Sequence, residues 1–243
     1  MTIKKIVLIT GANKGIGNEV ARQLLSQGFT VLLGARDLQR GQVAVETLRK
    51  DGSDVHFVHI DVTNDQSIKQ AAETIAKHWE KVDVLINNAG VNYEFSAKTR
   101  PALLSVDILK DTFQTNVFGT FAVIHHFLPL LKQAEAARVI NVSSSLGSLA
   151  SVSDPDSIFH KLNTAAYNAS KTALNALTIA LAKDLSDEQI SVNSICPGWV
   201  QTEMGTDAAP RTVEQGAAII VKLATMNASP TCKFLDEDGE IPW

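Results

Sequence analysis

Short runs of valine, isoleucine and leucine recur along the chain with almost no polar alternation, and helical patterns separate them. Runs of this kind belong to strands buried on both faces. Strands that alternate with helices build a parallel α/β sheet. Lys5–Thr10, Phe29–Leu33, Val55–Ile60, Val82–Ile86, Val139–Val142 and Ile190–Cys196 read as strands, and Lys233–Leu235 adds a short final one. Gly15–Gln27, Gln39–Lys50, Asp65–Glu80, Val106–Lys132, Thr164–Leu185 and Val213–Ala224 read as helices. Pro129 is expected to bend or fray the end of the long Val106–Lys132 helix. The fold class is therefore α/β: a doubly wound, mostly parallel seven-stranded sheet with helices on both faces. No linker, repeat or low-complexity run interrupts residues 1–243, which predicts a single domain.

Four polar signatures each follow one of these strands: Thr10–Gly17, Asn87–Gly90, Ser143–Ser145 and Cys196–Gly198. In an open parallel sheet, ligands bind outside the carboxyl ends of the strands, so all four belong to the edge of one crevice.

Composition narrows the function. The net charge is -4 and no block of like charges stands out, which argues against a nucleic-acid or membrane-surface partner. The apolar stretch Val117–Leu131 contains His125, His126 and Pro129 and is too short to span a bilayer. Met1–Lys5 runs straight into a strand without a signal-peptide layout, so the expected compartment is cytoplasmic. Cys196 and Cys232 are far apart, and the six histidines form no ligand-spaced pair. No metal site is expected.

The first signature runs Thr10-Gly11-Ala12-Asn13-Lys14-Gly15-Ile16-Gly17. Glycines here let backbone approach a pyrophosphate, and the helix behind offers free N–H groups and partial positive charge. The spacing differs from the common G-x-G-x-x-G, but the strand-before, helix-after context is the one phosphate binding requires. Strand two ends at Gly34-Ala35-Arg36-Asp37. A carboxylate there selects the ribose 2′-hydroxyl of NAD, whereas an arginine accommodates the 2′-phosphate of NADP. Arg36, with Lys14 and Arg40 near it, favours NADPH over NAD; Asp37 turned inward would favour the reverse. Asp61, followed by Val62, ends the third strand, where its backbone and carboxylate can meet the adenine.

Tyr167 and Lys171 open a helix at i and i+4 and share one face. An unperturbed phenol, with a pKa near about 10, trades protons poorly at neutral pH. A cationic Lys171 is expected to lower that value. Tyr167 then donates a proton to a carbonyl oxygen as hydride reaches the carbon, while Ser144, just past strand five, holds the same oxygen.

With these residues in place, the chain resembles the short-chain dehydrogenase/reductase family over nearly its whole length. Thr10–Gly17 matches T-G-x-x-x-G-x-G, Asn87–Gly90 matches N-N-A-G, and Tyr167–Lys171 matches Y-x-x-x-K. The resemblance implies a Rossmann-type domain in which Asn88, Ala89 and Gly90 flank the cofactor. It also implies that Asn116, in Asn116-Val117-Phe118-Gly119, is a fourth catalytic member that binds a relay water for Lys171. Lys171 is implied to hydrogen-bond the nicotinamide ribose, and Pro197, Gly198, Val200 and Thr202 to embrace the nicotinamide. Gly11–Gly17, Ala35-Arg36-Asp37 with Arg40-Gly41, and Cys196-Pro197-Gly198-Trp199-Val200 look most like NADPH-dependent carbonyl reductases, which supports Lys14 and Arg36 as 2′-phosphate ligands. Ser144 and Tyr167 lie 23 residues apart, more than in many members. Extra residues within Leu146–Ala166 must form a loop or short helix beside the site. They could also obstruct the helix packing that relatives use to assemble, which leaves monomer and homo-oligomer both open.

Val91–Leu104, Leu146–Ala165 and Trp199–Arg211 are expected to line the substrate cleft, with Tyr93, Phe95, Phe159, Trp199 and Met204 supplying apolar surface. Such a cleft suits a small or medium aldehyde, ketone or quinone. Two other readings stay open: an NAD(P)-dependent alcohol dehydrogenase working oxidatively, and a non-catalytic NADP sensor.

Overall fold

The apolar runs pack on both faces of one sheet. In a computed structural model that describes residues 4–49, 53–94 and 100–243, strand β1 (Ile6–Ile9) is fully central. Val7 and Ile9 join one core, and Ile6 and Leu8 join the other, the period-two alternation that a strand imposes. Strands β2 (Thr30–Ala35), β3 (Val55–His59), β4 (Val84–Asn87), β5 (Arg138–Val142), β6 (Ser191–Ile195) and β7 (Phe234–Leu235) complete a sheet of order β3-β2-β1-β4-β5-β6-β7. Every strand pair is parallel, with Val7 opposite both Val31 and Val84.

Helices α1 (Gly15–Ser26), α2 (Leu38–Leu48) and α8 (Val213–Thr225) cover the first face through Val20, Leu24, Val45 and Ile220. Helices α3 (Asp65–Trp79), α5 (Thr120–Leu131) and α7 (Ala165–Asp184) cover the second through Ile68, Ile75, Phe127 and Ala182. The chain winds outward from β1 to β3, then returns to lay β4 on the other side of β1. That reversal opens a crevice at the carboxyl ends of β1 and β4.

The helix expected over Val106–Lys132 is interrupted. It forms α4 (Val106–Phe113), a π turn over Gln114–Gly119, and then α5, with Pro129 in its last turn. The cause is local packing: a Cβ on Gly119 would lie 2.3 Å from the Val62 carbonyl oxygen, and buried Asn116 bonds outward to another loop. Wide single turns of this type cluster at functional sites. Between Ser144 and Tyr167 the extra residues form a 3-10 turn (Ser145–Gly147) and the short helix α6 (Leu149–Ser153).

Arg138 begins β5, one residue before the expected start, and is buried. Its guanidinium donates to the carbonyls of Leu223 and Ala224 at 2.9 and 2.8 Å, and also to Met226. It thereby satisfies the carbonyl end of α8, at a desolvation cost that pushes its pKa down. Among the described residues no helix is long and apolar enough to cross a membrane.

Candidate active site

Thr10 joins the two halves of the crevice. Its hydroxyl oxygen accepts the N–H groups of Asn88 and Ala89, both at 3.1 Å. Asn88 Nδ2 returns bonds to the carbonyls of Thr10 and Gly11 at 3.0 and 3.1 Å. The glycine turn is held so close to Asn87–Gly90 that side chains are excluded. Gly11 takes φ +64 and Gly15 φ +56, both left-handed values that favour glycine. A Cβ on Gly17 would come within 2.5 Å of Asn88 Nδ2.

Lys14 occupies the N-cap of α1 without a side-chain cap bond, and the first turn carries no acid. The helix thus presents uncapped N–H groups and its positive end to the crevice. A Cβ on Gly15 would lie 3.3 Å from Thr202 Cγ2, so the loop after β6 closes against the glycine turn. Lys14 Nζ is ion-paired with Glu203 of that loop. Asn13, Lys14, Asn18, Arg40 and Glu203 border an open depression of about 650 Å³. This cradle fits a dinucleotide: backbone can approach closely, donors point inward, and cations stand at the rim.

Arg36, just past β2, and Arg40, in the first turn of α2, are exposed. Asp37 does not turn into the crevice. Its carboxylate accepts the Arg40 N–H at 2.8 Å and caps α2. Asp61 Oδ1 is taken by the Thr63 N–H and hydroxyl at 2.9 and 2.7 Å, and its own N–H donates to Ser67. Contact with an adenine therefore falls to its remaining groups and to half-buried Val62.

The candidate proton machinery converges beside the cradle. Ser144 leaves β5 in an extended conformation, and its Oγ accepts the Leu146 N–H at 3.2 Å. The Ser144 side chain lies beside the Tyr167 phenol and favours its ionised form. Lys171 Nζ lies 5.6 Å from the Tyr167 ring centroid and donates to the Val142 carbonyl at 2.8 Å. A Cβ on Gly147 would sit 2.8 Å from the Lys171 backbone, so the Ser144 turn packs directly on α7. A Cβ on Gly90 would be 3.6 Å from Lys171 Nζ and 3.4 Å from Asn116 Oδ1, which places the N-N-A-G loop in the same cluster.

The expected electrostatics need correction. The Tyr167 pKa is raised, not lowered: burial dominates, nearby Cys196 pushes the same way, and the Ser144 side chain opposes both. Lys171 Nζ stands 5.6 Å from the ring centroid, and its own ammonium is pushed down to about 8 by burial. In the chain by itself the phenol is held protonated, the state a proton donor needs.

Asn116 also belongs to the cluster. Its side chain is fully buried and engaged: Oδ1 accepts the Val91 N–H at 2.9 Å, and Nδ2 donates to the Val91 carbonyl at 2.9 Å and to Ser170 Oγ at 3.0 Å. The side chain is a clamp between the loop after β4 and α7.

After β6, Gly198 takes φ +80 and Pro197 precedes it. Val200 is buried, and the Thr202 hydroxyl accepts the Gly205 N–H at 3.0 Å. Tyr93, Trp199 and Met204 are exposed, with Trp199 Nε1 bonded to the Gly205 carbonyl. Phe159 is half-buried, and Phe95 lies outside the described residues. Sequence reasoning missed Glu94, Ser170 and Glu203 at the site. Only Ser170, directly before Lys171, carried a positional hint. Cys196 is a buried free thiol whose Sγ accepts the Ser145 and Gly198 N–H groups at 3.2 and 3.4 Å.

Fold and site together define a nicotinamide-dinucleotide oxidoreductase. The comparisons agree. The profile of the short chain dehydrogenase family matches residues 5–213, and the chain belongs to that family. Carbonyl reductase (NADPH) 1 of Mus musculus is 32% identical, covering 99% of this chain and 99% of that protein. (+)-Neomenthol dehydrogenase of Arabidopsis thaliana is 32% identical over 91% of this chain and 92% of its own length. Among solved structures, NADPH-bound carbonyl reductase from chicken fatty liver superimposes with a TM-score of 0.88 at 28% identity, covering 99% of each chain.

Proposed function

We propose that this chain reduces the carbonyl of a small or medium apolar aldehyde, ketone or quinone, with NADPH as the preferred cofactor. One observation carries the reading: the Tyr167 phenol, kept protonated by burial, meets the Ser144 side chain beside buried Lys171 at the edge of a glycine cradle. When bound, the nicotinamide supplies the hydride. Ser144 holds the substrate oxygen in place, and Tyr167 delivers the proton to it. Lys171, charged below about pH 8, sets a positive field under the ring and favours proton release from the phenol.

Cofactor preference follows from the residues after β2. Asp37 is committed to capping α2, which removes the carboxylate that would select a free 2′-hydroxyl. Lys14, Arg36 and Arg40 are the cations available to a 2′-phosphate. The name of the mouse relative carries the same cofactor. Oxidation of an alcohol is the second reading, favoured by the Arabidopsis relative named as a dehydrogenase. Microscopic reversibility gives both directions to the same residues.

The test is steady-state turnover of an aldehyde, ketone and quinone panel with NADPH or NADH. Carbonyl-dependent NADPH oxidation at a higher kcat/KM than with NADH supports the reading. NADPH binding without turnover across the panel, in either direction, refutes it.

A further inference from the structure

Glu94 is a carboxylate only 4% exposed, and the proton chemistry above has no use for it. Its Oε2 accepts the backbone N–H of Tyr167 at 2.9 Å, from 73 positions away in sequence. Among the described residues its Oε1 is buried without a hydrogen-bond partner, a costly state that native proteins rarely keep.

Helix α7 explains what Glu94 supplies. Its N-cap, Thr164, makes no side-chain cap bond, and its first turn contains no acid. The Thr164 hydroxyl is turned to Asn168 Oδ1 instead, at 2.7 Å. Tyr167 is the third residue of that helix, so its N–H is among those left without an intrahelical partner. Glu94 provides from a distant loop the acceptor that this helix start lacks.

The carbonyl of the same residue is also held. Ser170 Oγ donates to the Tyr167 carbonyl at 2.7 Å and receives Asn116 Nδ2 at 3.0 Å. Asn116 grips Val91 through both of its backbone polar groups, and the Glu94 N–H is tied to Asn92 Oδ1 at 3.1 Å. From Val91 through Asn116, Ser170 and Tyr167 to Glu94, and back along the loop, the contacts form a closed ring. Glu94 is its final link.

We propose that Glu94 is a positioning residue for the catalytic tyrosine: by gripping the Tyr167 amide it fixes the first turn of α7, and with it the reach of the phenol to Ser144. The inference rests on Tyr167 being the proton donor.

The experiment compares Glu94→Ala, Glu94→Gln, Glu94→Asp and Tyr167→Phe for NADPH dissociation constant by fluorescence and for kcat with a quinone that the parent reduces. Glu94→Ala is expected to lower kcat about tenfold to a hundredfold, since a misplacement of about 1 Å has effects of that order, with NADPH affinity within about twofold of the parent. Glu94→Gln retains an oxygen for the same N–H and keeps kcat within about threefold. Glu94→Asp, one methylene short, falls between them. Parental kcat in Glu94→Ala, or equal losses in the Ala and Gln variants, overturns the role. If the Ala variant fails to fold, parental kcat in Glu94→Asp or a large loss in Glu94→Gln overturns it. Should Tyr167→Phe keep parental kcat, the acid assignment falls and takes this inference with it. If Tyr167→Phe alone loses turnover, only the role of Glu94 fails.

Discussion

Lys171→Met should make the protein more stable and inactive, with a stability gain that disappears as the pH rises. Lys171 is 4% exposed, and burial pushes its ammonium from the ordinary 10.5 down to about 8. At about 1.4 kcal/mol per pH unit, that gap amounts to about 3 kcal/mol against the folded state while the ammonium is charged in both states. Methionine of similar length removes this term but forfeits the bond to the Val142 carbonyl, a loss of about 1 kcal/mol. The net expectation is a gain of about 2 kcal/mol near neutral pH.

The sign with pH follows from proton binding. Folded Lys171 gives up its proton near pH 8, whereas the unfolded chain holds it to about 10.5. Between those values the unfolded state binds more protons, so the parent gains stability as pH rises and the methionine variant does not. Urea unfolding of both proteins from about pH 6.5 to about pH 9.5 reads the difference directly. The advantage of Lys171→Met should shrink steadily above about pH 8. A difference that stays constant or widens with pH would refute the claim that burial, rather than packing, sets the Lys171 energetics.

Two further outcomes test the cofactor cradle. Arg36→Ala should raise KM for NADPH by at least about tenfold while leaving KM for NADH within about twofold, as expected for loss of a charge-assisted phosphate contact. An equal effect on both cofactors removes Arg36 from the 2′-phosphate site. Thr10→Val takes away the acceptor shared by the Asn88 and Ala89 N–H groups, which should destabilise the fold by about 2 kcal/mol. It should weaken NADPH and NADH alike, and a thermal melt with titrations of both checks it.

The sheet, and the convergence of the candidate site residues at one of its edges, were readable because each depends on local pattern. Unbroken Val, Ile and Leu runs give strands buried on both faces, and glycines at positions 11, 15 and 17 mark a turn pressed against another loop. What escaped depends on groups remote in sequence or on burial itself. Asp37 was ambiguous because only the start of α2 decides whether its carboxylate caps a helix or faces the crevice. Asn116 looked like part of one continuous helix, since nothing local to Gln114–Gly119 announces the close approach of Val62. Arg138 and Glu94 act at helix ends contributed by other parts of the chain, and neither has a nearby motif. The direction of the Tyr167 pKa was misjudged because pairing with Lys171 was weighed and desolvation was not.

Single-turnover reduction in a stopped-flow instrument puts the proton donor to the most direct trial. NADPH-loaded Tyr167→Phe is mixed with a carbonyl substrate, and loss of the reduced cofactor's fluorescence is followed beside the parent. The phenylalanine variant should bind NADPH normally yet consume it about a hundredfold or more slowly, the least that removing a general acid costs in this range. Consumption at the parental rate would mean that the proton comes from elsewhere and that the arrangement around Ser144 serves another purpose.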